Sequence, residues 1–423
     1  MSPNSSPEFG DSTALLGLRT RRQAFFLILA LGVLNALTPF SIDLYLPAFP
    51  QIARDLRTEV PRVSLSVAIY FIGFALGQIV YGPLLDRFGR KRPLYVGLLI
   101  YILASIGCMT AHSVESLIAF RFLSALGGSA ASVASTSMVR DYFPAKDAAK
   151  VFSMLMLVLS ISPFLAPSVG TLIVNFWGWR SLFGVLTGIA LLDVGLVAFA
   201  LPTAYLPDPS VSLNFSAILR VFGDTIKIRR FWVYTFSGAL SFAGLFVYVS
   251  ASPGIFMGGF KVDANLYSAI FAFVALGMIG GGQLNHLLVR RAGSLRVFRA
   301  TLICQVAVAV AFVGCALGMQ LGLATTVAFF FVLLVCAGIT YPNAAALALE
   351  PFSKNVGSAS ALLGFIQLGI GALVAAGVGI VDDHGALPTA VVMAASAMLG
   401  LVVLWLGRDS AVPRRGRSGN GNL

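Results

Sequence analysis

The sequence predicts an all-α membrane protein, with twelve transmembrane helices arranged as two six-helix bundles. Three observations predict it. Hydrophobic residues make up 58% of the 423 positions and charged residues only 11%, against about 25% charged in an ordinary soluble domain. Apolar runs of roughly twenty residues, enough to cross a hydrocarbon core about 30 Å thick, recur along the whole chain. Lys and Arg gather in short clusters between those runs.

Inside lipid an unpaired backbone N–H or C=O finds no water, so each run is expected as a helix. In the first half the runs fall near 24–48 (α1), 63–85 (α2), 93–111 (α3), 116–139 (α4), 151–174 (α5) and 181–202 (α6). In the second they fall near 231–255 (α7), 266–289 (α8), 300–319 (α9), 323–349 (α10), 357–380 (α11) and 387–407 (α12). The expected plan is therefore a tail at 1–22, a bundle at 23–202, a linker at 203–229, a second bundle at 230–407 and a basic tail at 408–423. The halves echo one another: Gly77, Leu84, Arg87 and Gly89 recur as Gly281, Leu288, Arg291 and Gly293, always 204 residues on. A parallel repeat of this kind is what two packed bundles leave in a sequence.

Charge sets the direction. With the N-terminus in the cytoplasm, the inner segments carry 23 of the 29 Lys and Arg, among them Arg87, Arg90, Lys91 and Arg92, and the outer segments carry 5. Arg121 alone lies within a run. This bias places both termini inside. It also accounts for the net charge of +12 without a nucleic-acid partner, because the cations follow helix ends rather than one binding face. The first run follows Arg19, Arg21 and Arg22 and is too long for a signal-peptide core, so it reads as a retained helix. A multi-pass protein of a bacterial inner membrane, monomeric, is expected. The four cysteines all sit in apolar runs without Cys-x-x-Cys spacing, and the three histidines are scattered. No metal site and no cofactor is expected.

The segment between α2 and α3 reads Gly82-Pro-Leu-Leu-Asp86-Arg87-Phe-Gly89-Arg90-Lys91-Arg92-Pro93. A basic loop can serve simply as an orientation signal. That does not explain the two glycines or the Asp. The segment resembles the cytoplasmic loop signature of the major facilitator superfamily. The resemblance implies that Asp86 and Arg90 form a charge latch between bundles that holds the outward-open state, with Gly82, Arg87, Gly89 and Asp141 completing the set.

Further segments are similar to the bicyclomycin and chloramphenicol efflux group of drug–proton antiporters: Ser41-Ile-Asp43-Leu-Tyr45-Leu-Pro47-Ala48, Tyr70-Phe-Ile-Gly73-Phe-Ala-Leu-Gly77-Gln78 and Arg121-Phe-Leu-Ser-Ala-Leu-Gly127. In α5, Ser162-Pro163-Phe-Leu-Ala166-Pro167-Ser-Val-Gly170 resembles the antiporter motif of drug exporters. Ala166 stands where that motif has Gly, and Ser124 stands where the α4 motif usually has Gln. The resemblance implies the major facilitator fold and proton-coupled export of small lipophilic drugs, with transport of a sugar or an amino-acid derivative as the alternative.

A charge within a span is disfavoured by roughly 2.5–3.5 kcal/mol and so marks a pathway or a pair. Asp43, Arg121 and Asp193 lie inside runs, and Glu350 closes α10. Counted from the run ends, Asp43 and Arg121 reach similar depth in the outer third. Asp43 is expected as the proton-coupling acid and Arg121 as its partner, or the two as an ion pair joining α1 to α4. Apolar pockets with a few placed polar groups suit lipophilic ligands, which nominates Asn35, Tyr45, Tyr248, Asn343 and Gln367 as substrate contacts. Pro163 and Pro167 are expected to bend α5. No Gly-x-x-x-x-Gly-Lys-Ser/Thr phosphate loop occurs, so ATP is not the power source. No catalytic His, Cys or Ser with an adjacent base stands out, so an enzyme is not expected.

Overall fold

The computed structural model describes residues 21–143, 145–201, 207, 223–318, 321–352, 356–379 and 385–407. Both tails, most of the linker and Lys354 lie outside the described residues, as do the side chains of Arg140, Lys146 and Lys150. Twelve long helices are present among them. These are α1 (Arg21–Asp43), α2 (Val60–Phe88), α3 (Lys91–Met109), α4 (Val114–Tyr142), α5 (Ala145–Trp177) and α6 (Arg180–Phe199), then α7 (Arg229–Pro253), α8 (Ala264–Ala292), α9 (Ser294–Gly318), α10 (Leu323–Leu349), α11 (Val356–Gly379) and α12 (Ala386–Leu406). Eleven are long and apolar enough to cross a membrane, and in the twelfth, α5, the apolar portion is Ile161–Trp177.

Local chemistry explains the ends. Ser113 caps α4 through a reciprocal pair: its hydroxyl accepts from the Ser116 N–H at 3.2 Å, and the Ser113 N–H donates to Ser116 Oγ at 3.3 Å. Asp263 caps α8 by accepting from the Leu266 N–H at 2.7 Å. These bonds satisfy donors that the first helical turn leaves open. Helices α2 and α8 both stop at a glycine with left-handed backbone, Gly89 at φ 82° and Gly293 at φ 79°, a conformation open to a residue without Cβ.

Two boundaries differ from expectation. The run expected as a helix over 24–48 stops at Asp43 and continues as a 3-10 turn, Leu46–Ala48, and a short helix, Phe49–Asp55. Pro47 and Pro50 both lack the N–H that an uninterrupted helix would use there. Likewise α7 passes at Pro253 into a wider turn, Gly254–Gly259.

The first six helices pack mainly on one another, α4 against α2, α3 and α1, and α6 against α3 and α1. The last six repeat the pattern, with α10 against α8, α7 and α9. The bundles meet where α2 lies along α11 and α7, and where α5 lies along α8. The sequence repeat appears here as matched contacts. A Cβ on Gly73 would lie 2.6 Å from the Phe122 carbonyl oxygen, and one on Gly277 would lie 2.9 Å from that of Phe331. One turn on, Gly77 meets the Leu126 carbonyl oxygen at 3.0 Å and Gly281 that of Val335 at 2.3 Å. Helices that share a lipid environment associate through such close backbone approach. Polar contacts repeat too: Tyr101 of α3 bonds Ser41 of α1 at 2.5 Å, and Gln305 of α9 bonds Ser241 of α7 at 2.6 Å.

Gly281→Ala should therefore push α8 away from the α10 backbone and cost about 1–3 kcal/mol, the usual range for overpacking. Thermal melts of the purified protein check this. Gly188→Ala, where a Cβ meets nothing within 4 Å, should melt with the parent.

Candidate functional site: a sealed acid and an open cleft

The turn at Gly89 delivers Arg90 to the start of α3, where its side chain is almost wholly buried. Its Nη1 donates to Asp86 Oδ1 at 2.6 Å. Its Nε and Nη2 donate to the two Asp141 oxygens at 2.6 and 3.3 Å. A forked guanidinium thus ties the end of α2 to the end of α4, the arrangement in which charged hydrogen bonds are strongest. These contacts of the latch join two helices of the first bundle. Gly82 meets nothing within 4 Å of a Cβ position, and the Arg87 guanidinium lies 5.9 Å from the Phe88 ring centre.

The expected ion pair is absent among the described residues: Asp43 and Arg121 do not join. Arg121 is 1% exposed and lies over aromatic rings, 4.2 Å from the centre of Tyr70, 4.8 Å from Tyr45 and 6.0 Å from Phe183. Cation–π attraction, strongest where water is excluded, holds the guanidinium there. The physical reason is the break after Asp43. It brings Tyr45 over Arg121, with the Tyr45 hydroxyl fixed to Ser66 Oγ at 3.0 Å. The Nε and Nη2 of Arg121 have no hydrogen-bond partner among the described residues.

Asp43, 7% exposed, instead accepts from Ser162 of α5 at 2.9 Å. The turn that follows it, Leu46–Ala48, lies against α8 of the opposite bundle. Beside it, the Gly170 Cβ position falls 2.1 Å from the Leu44 carbonyl oxygen, which admits only glycine where α5 presses on the end of α1. Pro163 and Pro167 both lie inside the unbroken α5. Asp193 is fully buried on α6, its carboxyl oxygens without partners among the described residues.

The two ends of the molecule differ. At the end near Trp179, Thr171 of α5 bonds Ser268 of α8 at 3.1 Å, and Ser250 of α7 donates to the Ser64 carbonyl of α2 at 3.2 Å. Among the described residues, hydrogen bonds between the bundles occur at this end. In the half nearer Arg90, Gln283 and Tyr341 lie exposed, and Ser132 and Thr136 are half-buried. These polar groups belong to α8 and α10 of the second bundle and to α4 of the first.

The nominated substrate residues divide between these zones. Asn35 accepts from Ser132 and Ser135 at 3.5 and 3.4 Å while its Nδ2 is unpartnered among the described residues. The Gln367 Nε2 is likewise unpartnered. Asn343 donates to Asn285 at 2.6 Å and to the Ile339 carbonyl at 2.8 Å. Tyr248 stacks on Phe271 at 5.5 Å, its hydroxyl without a described partner. Tyr45 serves the Arg121 cage. Residue-by-residue reading missed Ser162, Tyr70 and the tilted pair Phe242–Tyr341, 4.4 Å between ring centres. Ser162 and Tyr70 lie inside the family-like segments, so a signal existed. Phe242 and Tyr341 meet only through the approach of α7 to α10.

A model of the Major Facilitator Superfamily matches residues 31–376. The chain belongs to the major facilitator superfamily. It is 30% identical to a bicyclomycin resistance protein homolog of Haemophilus influenzae over 94% of this chain and 100% of that protein. It is 31% identical to YdgK, an MFS-type transporter of Bacillus subtilis, over 90% of this chain and 95% of that one. A chloramphenicol resistance protein of Pseudomonas aeruginosa is 31% identical over 67% of each. Among solved structures, a D-xylose–proton symporter superposes with a TM-score of 0.69 at 15% identity, covering 90% of this chain and 97% of that one. A bacterial homolog of the lysosomal transporter Spinster, inward-facing and unoccupied, gives 0.65 at 16% over 92% and 96%. These likenesses bear out the all-helical membrane fold, and this family comprises transporters, not enzymes.

In this facilitator, Asp141→Ala should remove the forked half of the Arg90 contacts. A loss of about 1–3 kcal/mol is expected from the charged bonds removed, read as a lower melting temperature. Arg90→Lys should show part of the same loss, because an ammonium lacks the fork.

Proposed function

We propose that the protein exports small lipophilic drugs in exchange for protons, by alternating access. The observation that supports this reading best is the place of Asp43. Its carboxyl is buried where α1 meets α5, bonded to Ser162, just before a turn that lies against the opposite bundle. In an apolar interior a carboxyl persists only if paired, hydrogen-bonded or neutral, so proton exchange and access to water are tied together. The resistance proteins among the relatives support drug export in particular.

The cycle follows from the two ends. By the positive-inside count, the end bearing Arg90 faces the cytoplasm, and both termini lie there. The cleft then opens inward, to a drug partitioned from the cytoplasm or the inner leaflet. The apolar walls, with Phe242 and Tyr341, take its body. The unpartnered amide ends of Asn35 and Gln367 take its polar atoms, with Asn343 and Tyr248 lining the same path. When the bundles rock, the Thr171–Ser268 and Ser64–Ser250 bonds break and Asp43 meets the outer medium. There it gains a proton as the drug departs. Return to the inward-open state carries that proton to the cytoplasm, where the next drug displaces it. Tyr45 holds Arg121 in place as the buried cation of the first bundle. The gradient that drives the cycle is worth about 2.3 kcal/mol per charge per 100 mV. The setting is a bacterial inner membrane, and a monomer suffices, since both bundles belong to one chain.

Expression in a host stripped of its own exporters tests the reading. Tolerance of bicyclomycin- or chloramphenicol-like compounds should rise, and a protonophore should abolish the gain. No gain for any compound across a broad antibiotic panel would overturn drug export. Asp43→Asn should remove proton-driven efflux and its pH dependence while drug binding survives. Undiminished coupling in that variant would take Asp43 out of the mechanism.

A further inference from the structure

The repeat between α4 and α10 has a consequence at the Arg90 end. The offset that carries Phe122 onto Phe331 and Leu126 onto Val335, fixed by their shared contacts with α2 and α8, also carries Asp141 onto Glu350. Both are acidic, and both stand where their helix ends. Asp141 has its cation at the start of α3, whereas the matching position at the start of α9 is Ser294, which has no charge to offer. Glu350 nevertheless has a cation: Arg230, in the first turn of α7, donates to it through Nη2. The neighbouring Arg229 holds the same end of α7 to the α12 terminus, donating to the Leu406 carbonyl at 3.0 Å.

We infer that Arg230 and Glu350 form a second charge latch, the counterpart in the second bundle of Arg90 and Asp141, with its cation moved from α9 to α7. The move matters because of what α7 does at its other end. From Arg230, α7 runs about 30 Å at helical rise to Ser250, which bonds the Ser64 carbonyl of the first bundle. Just beyond, Gly254 lies against Val60. One helix is thus clipped to α10 at the open end and to α2 at the sealed end. Tilting α7 to break the seal also strains the clip, so the latch favours the conformation seen here. The ion pair is part-exposed, 35% for Arg230 and 55% for Glu350, which limits it to a bias on the equilibrium rather than a lock.

The inference rests on alternating access but not on the identity of the cargo, and labelling separates the two. In the full chain with Cys108, Cys304, Cys315 and Cys336 replaced by Ser, Ser268→Cys places a thiol inside the sealed end. Its rate of reaction with a maleimide, in purified protein, reports opening of that end. Glu350→Gln and Arg230→Gln should each raise the rate about two- to fivefold, the range an exposed pair supports. The exchange of charges, Arg230→Glu with Glu350→Arg, should bring it back to the parent value. Unchanged labelling in the single variants, or an exchanged pair that labels as fast as either single variant, overturns the latch. A labelling shift without drug export would instead retain the latch and remove the efflux reading.

Discussion

The structure depends on one constraint: within the bilayer no water is available to satisfy a polar group. Backbone groups answer it by forming helices, and the helices answer it again where they touch. Gly73 and Gly77 lay α2 on α4 at backbone distance, as Gly277 and Gly281 lay α8 on α10. Small hydroxyl groups finish the job, as Ser41 does with Tyr101 and Ser241 with Gln305. Against so thorough a satisfaction of polar atoms, the few left without partners stand out. Among the described residues they include the Nε and Nη2 of Arg121, the amide ends of Asn35 and Gln367, the hydroxyls of Tyr70 and Tyr248, and the carboxyl of Asp193. Groups that have not been neutralised by packing are available to meet a ligand, a proton or a moving helix.

The two halves share a scaffold and differ in charge. The register that relates α4 to α10 places Phe330 where the first half has Arg121. Phe330 packs within 5.1 Å of Tyr248 and 5.4 Å of Phe312 between ring centres. Arg121 takes the corresponding place among Tyr70, Tyr45 and Phe183. The same aromatic nest thus holds a cation in one bundle and a phenyl ring in the other. The scaffold accepts either side chain at this place, and in the first bundle it leaves the Nε and Nη2 of the guanidinium without described partners.

Much of this was legible from residue order. The twelve runs, the halves and the glycine repeat were visible because hydropathy and spacing are properties of the chain itself. The Asp86–Arg90 pairing was legible through the family-like loop, where only three residues, the last of them the left-handed Gly89, lie between them. The site was legible only in part. Asp43 and Arg121 announced themselves as charges within apolar runs, and equal depth suggested an ion pair. Depth is one coordinate, however, and pairing also needs the two side chains to face one another. Two prolines after Asp43 end the helix and bring Tyr45 onto Arg121, while Asp43 meets Ser162, 119 residues away.

By itself, then, the order of residues determined that this chain is a membrane-embedded, twice-repeated helical bundle of transporter type, because lipid reads only length, hydropathy and charge. Tertiary structure decided which end is sealed, which charges meet and which are left to act. Those depend on distances between helices far apart in sequence, and a single turn of helix rotation is enough to change the partner of a buried charge.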